Sequence, residues 1–320
     1  MKLIAASFLL LASMLLAGSA AAQAYPNRPI RLVIPFGPGS STDVITRILA
    51  QAVSTSIGQP VVVESKPGAD GAIAGLEVAK AAPDGYTLLI GSGSPLAAVP
   101  ALRKDPPYDP VRDFTPIIDI GRYSNFLFIN AEVPIKTFQE LIAYAKANPG
   151  KLAYGTGSAS SIVAFAQMNS LAGIQMLHVP YKSAPPAVTD LIANRVQLMW
   201  EPPTATIAFV REGKLRALVT SLRERSTLLP DVPTIYESGM PQFAMSNWMG
   251  LVGPANMPRE IVDRLNREFA AAMKRPEVLE GMEKQVFVLN PSTPEQFGTF
   301  IKEQIGFYGS LLRAAGVQPQ

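Results

Sequence analysis

The chain has 320 residues, long enough for two domains that each bury a core, and 48% of them are hydrophobic. Its formal charge of only +3 is spread evenly, which excludes the basic footprint of a nucleic-acid binder. There is no cysteine and a single histidine, His178, so disulfides and thiol-held metals are excluded and any catalytic triad would have to use that one residue.

Residues 1–24 read as an export signal. Lys2 supplies the positive start, Leu3 to Leu16 the apolar core, and Ala22-Gln23-Ala24 a small-x-small cleavage site before Tyr25. With no cysteine to carry a lipid, the mature chain is expected as a free soluble protein of about +2 charge, without Lys2, in a bacterial periplasm. No later stretch is apolar for long enough to span a membrane.

The first folded element expected is a strand over Leu32, Val33 and Ile34, a run suited to burial on both faces of a sheet. Pro35 ends it. Gly37, Pro38 and Gly39 form a loop, and Ser40, Ser41, Thr42 and Asp43 are N-cap residue types ahead of Val44, Ile45, Ile48 and Leu49 at helical spacing. Such a loop leaves unpaired N–H groups and the positive end of a helix dipole facing one small volume, which suits an anion. The glycines let a ligand approach the backbone, and the hydroxyls add donors without fixed charge. An ordinary βα turn that binds nothing has the same outline, and neither a Walker A sequence nor a dinucleotide loop is present. Asp43 is expected to cap the helix, since it would repel an anion.

Val61 to Glu64 predicts a second strand, Ile73 to Ala81 a helix, and Tyr86 to Ile90 a third strand. That strand runs into Gly91-Ser92-Gly93-Ser94, a small polar loop at a strand's carboxyl end, where ligands of open α/β sheets gather. The alternation predicts a parallel or mixed sheet with helices on both faces. Thr115 to Asn130 is strand-like on either side of Gly121-Arg122 and reads as the first crossing between domains. Thr137 to Ala147 predicts a helix with Glu140 at the capping-box position. A brief strand, Lys151 to Tyr154, then delivers Gly155-Thr156-Gly157-Ser158-Ala159-Ser160-Ser161 to a helix from Ile162 to Leu171. The second domain thus repeats the device of the first, and two such loops suit the two ends of a doubly negative ligand over which the domains close.

Strands are expected over Met176 to Pro180, Val196 to Trp200 and Leu215 to Thr220, with helices over Ala187 to Ala193 and Ile207 to Arg211. Asn247 to Val252 predicts the strand returning to the first domain, and Pro258 to Met273 and Thr293 to Ala315 two amphipathic helices packed on it. No Gly-x-Ser-x-Gly nucleophile elbow accompanies His178, which reads as structural. Phe36 is expected as an apolar wall of the site; Tyr181 and Trp248 each suit stacking on a ligand ring or filling the hinge-side core, with Tyr181 expected in the cleft and Trp248 in the core. Glu201 faces either an ammonium or hydroxyl of the ligand, or a hydrogen bond between lobes; the second is preferred.

A set of short motifs runs in order through Tyr25-Pro26-Asn27-Arg28-Pro29-Ile30-Arg31, Pro35-Phe36-Gly37-Pro38-Gly39 with Asp43, Val62-Val63-Glu64-Ser65-Lys66-Pro67-Gly68-Ala69 and Ala82-Pro83-Asp84-Gly85-Tyr86-Thr87-Leu88-Leu89. It continues through Tyr108-Asp109-Pro110, Ala147-Asn148-Pro149-Gly150-Lys151-Leu152, His178-Val179-Pro180-Tyr181-Lys182, Gly213-Lys214-Leu215-Arg216-Ala217-Leu218, Leu229-Pro230-Asp231-Val232-Pro233-Thr234 and Glu237-Ser238-Gly239. In this ordered set the mature chain resembles the Bug family of extracytoplasmic solute receptors associated with tripartite tricarboxylate transport.

The resemblance implies an α/β, type II periplasmic-binding-protein fold, two lobes joined by two crossing strands with a ligand cleft between them. Lobe 1 is expected over residues 25–124 and 247–320, lobe 2 over 125–246. It also implies a non-enzymatic monomer without cofactor that captures a small di- or aromatic carboxylate and delivers it to the permease subunits of a tripartite tricarboxylate transporter. A ligand-presenting partner of a membrane sensor is the alternative, with a periplasmic hydrolase behind it. Expected ligand-binding residues are Phe36, Gly37, Gly39, Ser40, Ser41 and Ser92 from lobe 1, and Thr156, Gly157, Ser158, Ser160, Ser161, Tyr181 and Glu201 from lobe 2. The sequence departs from the family pattern at Ser40, which replaces a glycine, at Ile162, where a histidine is common, and at Trp200-Glu201, in place of Phe and Asp. Ile162 and Trp200 are expected to make the cleft apolar and to favour a carboxylate with a hydrophobic or aromatic body.

Overall fold

The computed structural model describes residues 25–245 and 247–319; the expected export signal lies outside them. The chain begins with β1 (Ile30–Ile34), α1 (Ser41–Ile57), β2 (Val61–Ser65), α2 (Ala72–Ala79) and β3 (Thr87–Ser92). β1 lies between β2 and β3, parallel to both. Leu32, Val33 and Ile34 are fully buried, because helices cover both faces of the strand. α1 presents Ile45, Leu49, Val53 and Ile57 to the sheet, a stripe of one residue in four. Gly58 at φ 73° stops it.

A π-type turn (Ser94–Ala98) and α3 (Val99–Leu102) lead to β4 (Phe114–Tyr123), and Ser124-Asn125 then carries the chain directly into β5 (Phe126–Asn130) of a second sheet. The second lobe continues with α4 (Phe138–Ala147), β6 (Ala153–Thr156), α5 (Ala159–Ala172), β7 (Leu177–Pro180), α6 (Ala184–Ile192), β8 (Leu198–Glu201), α7 (Ile207–Arg211) and β9 (Leu215–Thr220). β10 (Asn247–Pro254) returns to the first sheet, followed by α8 (Arg259–Ala272), α9 (Pro276–Lys284), β11 (Phe287–Leu289) and α10 (Pro294–Ala314). The first sheet has the order β11-β4-β10-β3-β1-β2, and the second β7-β6-β8-β5-β9. β6 is parallel to β7 and β8, whereas β5 runs antiparallel to β8 and β9.

The segment Thr115 to Asn130, expected as the first crossing between domains, forms two strands, and the chain changes sheet at Ser124-Asn125 within it, while Gly121-Arg122 lie inside β4 and pair with β10 and β11. α9 and β11 also stand between the two amphipathic helices of the carboxyl-terminal region. α9 buries only Val278 and Met282, too little apolar pattern to read, and β11 owes its place to Phe287, whose ring meets Tyr123 edge-on at 5.1 Å. None of the described helices is long and apolar enough to cross a membrane.

α10 begins in a full capping box between Thr293 and Gln296, with Pro294 in its first turn. It packs against β4 and the π-type turn of the first lobe and against α5 of the second. Tyr308, fully buried on this helix, bonds Ser160 Oγ at 3.3 Å. Gly93 sits under the Tyr308 hydroxyl with a helical φ of −53°, so its lack of a side chain supplies space and not conformational freedom. Gly93→Ala is expected to cost about 1–3 kcal/mol of unfolding free energy by overpacking. A urea midpoint equal to that of the unsubstituted chain would show that α10 is not seated there.

Candidate functional site

α1 and α5 begin on opposite sides of a cavity of about 50 Å³. Phe36, Ser40, Ser41, Thr42 and Ser92 line it from the first lobe, and Tyr123, Asn247 and Trp248 from the strands that change sheet. The second lobe contributes Gly157, Ser158, Ser160, Ala184, Glu201 and Pro202. No lysine or arginine is among them.

Each helix start is built by its own sequence. Ser40 caps α1, its hydroxyl accepting from the Asp43 N–H at 3.3 Å, and Asp43 accepts from the Gly39 N–H at 3.0 Å while pairing with Arg47 at 2.8 Å. Ser158 caps α5 in the same way, accepting from the Ser161 N–H at 3.2 Å. A helix leaves the amides of its first turn without an intrahelical partner, and a serine cap satisfies one while adding no negative charge. Both dipoles therefore present their positive ends to the cavity.

Three buried polar atoms of the lining have no protein partner: Ser92 Oγ, Trp248 Nε1 and the Asn247 side-chain oxygen. Leaving such an atom unpaired costs about 1–3 kcal/mol, so a cluster of them around one space marks a place for a polar guest. Tyr123 is engaged: its hydroxyl shares a 2.8 Å bond with Thr42 Oγ1. Burial holds its pKa well above the usual phenol value, so it stays neutral.

Glu201 is the one carboxyl in the lining. It accepts from Ser161 Oγ at 3.0 Å and from the Gly157 N–H, yet burial outweighs both and pushes its pKa up to about 7. Both partners belong to the second lobe, so the expected bond between lobes does not form.

Of the expected site residues, Phe36, Ser40, Ser41, Ser92, Gly157, Ser158, Ser160 and Glu201 line the cavity. The remaining five do not. Gly37 packs against Ser183 Oγ across the lobes, and Gly39, at φ 79°, shapes the loop and feeds its N–H to Asp43. Thr156 Oγ1 bonds His178 Nε2 at 2.7 Å, and that imidazole stacks on Tyr154, which gives His178 its structural place. Ser161 is fully buried and bonds Trp200 O and Glu201. The Tyr181 hydroxyl donates to Asp190 at 2.7 Å, which draws its ring onto α6 and out of the cleft.

Ile162 and Trp200 are also absent from the lining. Successive strand residues face opposite sides, so with Glu201 toward the cavity Trp200 must turn away, and it packs on Phe243 at 5.1 Å. Ile162 lies about 200° around the helix from Ser160. The apolar walls come from Phe36, Ala184, Pro202 and Trp248 instead. Trp248 is 1% exposed and packs its ring edge-on to Phe297 and Phe300, so it has the burial of a core residue as well as a cavity face. Asn247, Tyr123, Ala184 and Pro202 are not legible as site residues, Thr42 reads only as one of the loop's hydroxyls, and Trp248 reads as core in preference to a ligand contact; for Asn247, Tyr123 and Trp248 the available signal is their place where strands leave one lobe for the other.

The lobes touch through neutral groups. Ser41 Oγ donates to Thr204 Oγ1 at 2.6 Å, which donates to Gln285 at 2.7 Å. Ser94 Oγ accepts the Ala159 N–H at 2.9 Å and donates to Asp70 O at 2.7 Å. Among the described residues every ion pair is confined to a single lobe, and no three His, Cys, Asp or Glu side chains are grouped to hold a metal ion.

A family model described as the tripartite tricarboxylate transporter family receptor, TctC, matches residues 45–317. The chain is similar to Protein BugT of Bordetella pertussis (strain Tohama I), at 35% identity over 99% of this chain and 98% of that one. Its fold is similar to that of the periplasmic binding protein BugD, with a TM-score of 0.88 at 32% identity, covering 92% of this chain and 100% of BugD. It is equally similar to an R. palustris protein solved with adipate, with a TM-score of 0.88 at 30% identity over 92% and 100% of the two chains. By sequence and by fold the chain belongs to the tripartite tricarboxylate transporter receptor family, as a solute-binding receptor of the Bug type and not an enzyme.

Proposed function

We propose that this receptor captures a small aliphatic dicarboxylate in the periplasm and hands it to the permease of a tripartite tricarboxylate transporter. The observation that carries the reading is the convergence of two serine-capped helix starts, one from each lobe, on one cavity whose lining holds no cation. A diacid satisfies both ends at once. Each helix end favours a carboxylate by about 0.3–1 kcal/mol, rising to about 2 in buried geometry, and hydrogen bonds to a charged group add about 1.5–3 kcal/mol each. Phe36, Ala184, Pro202 and Trp248 suit an apolar body between the two charged ends. The neighbour solved with adipate, a diacid with such a body, supports the class. An aromatic monoacid would leave one helix start without an anion. Export with cleavage after Ala24 places the receptor where such acids arrive, and the small-x-small site at 22–24 supports that boundary.

Three measurements follow. In a thermal-shift panel of mono-, di- and aromatic acids, a dicarboxylate at about 100-fold over its Kd is expected to raise Tm by about 5 °C. A larger shift with an aromatic monoacid would reverse the assignment. Trp248→Phe is expected to weaken dicarboxylate binding about tenfold or more by removing the Nε1 donor, while unfolding free energy changes by less than about 1 kcal/mol because the ring packing is kept. Unchanged affinity would remove Trp248 from the site. Mass spectrometry of the exported protein is expected to place its first residue at Tyr25; an intact N-terminus would refute cleavage.

A further inference from the structure

The lining contains one carboxyl, and it stands where an anion is to be received. Glu201 closes β8, is 8% exposed, and is held on one side by Ser161 Oγ at 3.0 Å and the Gly157 N–H. An ionised Glu201 would confront the ligand in a space of low dielectric with no cation to neutralise either. As an acid it would instead present an O–H, a donor like Ser92 Oγ and Trp248 Nε1 around the same cavity.

We propose that Glu201 receives the ligand in its protonated form, donating its O–H to a ligand carboxylate oxygen, so that capture of the dianion takes up one proton from solvent. This rests on the dicarboxylate reading above and adds a rule of selection: the site prefers an acceptor at that position and disfavours an ammonium. Glu201 thus becomes the residue through which pH acts on affinity.

The surroundings leave no other group to do this. Of the elements packed on β8, β5 and α5 carry no titratable side chain. β6 carries Tyr154, stacked on Phe165, and α6 carries Asp190, engaged by Tyr181 and Arg195. Across the cavity, Asp43 is paired with Arg47, and Tyr123 is kept neutral by burial. Burial alone raises the Glu201 pKa, to about 7, so both forms are populated near neutrality and binding selects one. The sign follows: below pH 7 the acid is already present and affinity is flat, whereas above it each unit of pH costs about tenfold.

The test is calorimetry of the mature protein with adipate between pH 6.5 and 8.5, in two buffers of different ionisation enthalpy. Expected are a proton uptake rising toward one per adipate at pH 8 and an affinity falling about tenfold per unit above pH 7. Glu201→Gln keeps a donor and needs no proton, so it is expected to bind adipate about tenfold tighter than the unsubstituted protein at pH 8, with the gap closing by pH 6.5. Without ligand, Glu201→Gln is expected to melt higher than the unsubstituted protein at pH 8 and to match it at pH 4, because an acid whose folded pKa is raised costs stability only once the pH exceeds its unfolded pKa. Adipate binding with no proton uptake and no pH slope overturns this proposal alone. Failure of adipate and every other carboxylate of the panel to bind overturns the dicarboxylate reading with it.

Discussion

A helix dipole acts on an anion only within the first turn of the helix, so a receptor that meets negative charge with dipoles instead of cations must hold its helix starts in place to within a few ångströms. That constraint accounts for most of what surrounds the cavity. β1 and β6, each buried in its own sheet, deliver their loops to the starts of α1 and α5. β4, β5 and β10 fix the sheets to each other through a single two-residue crossing and one returning strand, and α10 lies against both lobes. Serine caps serve where aspartate would satisfy the same amides, because an aspartate there would oppose the ligand.

The polar atoms left without protein partners belong to the same economy of charge. Ser92, Asn247 and Trp248 surround the cavity from the first sheet and the returning strand, and the second lobe adds an acid whose environment favours its neutral form. Fold stability alone would have selected apolar groups at such positions. Ser92 Oγ and Trp248 Nε1 are neutral donors and the Asn247 side-chain oxygen is an acceptor, so the desolvation cost of all three is offset only when a polar guest or water is present.

What could be read from the sequence is what is local. The strand over Leu32–Ile34 and the serine caps at Ser40 and Ser158 are written in a few consecutive residues, and with them came the paired helix starts and most of the first loop's contribution to the cavity. What could not be read depends on distant chain. Tyr181 leaves the cleft because Asp190 on the next helix takes its hydroxyl, and Trp248 gains a cavity face because β10 passes between the lobes. Trp200 could have been removed from the site by strand periodicity once Glu201 was placed in it, since neighbouring strand residues cannot share a face. Within the crossing segment, Gly121 sits where β4 and β10 shift register, a pairing set by the returning strand and not by neighbouring residues.

The hydrogen bonds between the lobes are made by hydroxyls, a backbone amide and a side-chain carbonyl, while the ion pairs of the described residues stay within one lobe or the other. Hydroxyls exchange a protein partner for water at little net cost, and their attraction is not screened by dissolved ions as a surface ion pair's is. The hydrogen bonds of the joint therefore offer dissolved ions no ion pair to screen. A receptor jointed in this way keeps its lobe-to-lobe hydrogen bonds in dilute and in concentrated salt alike.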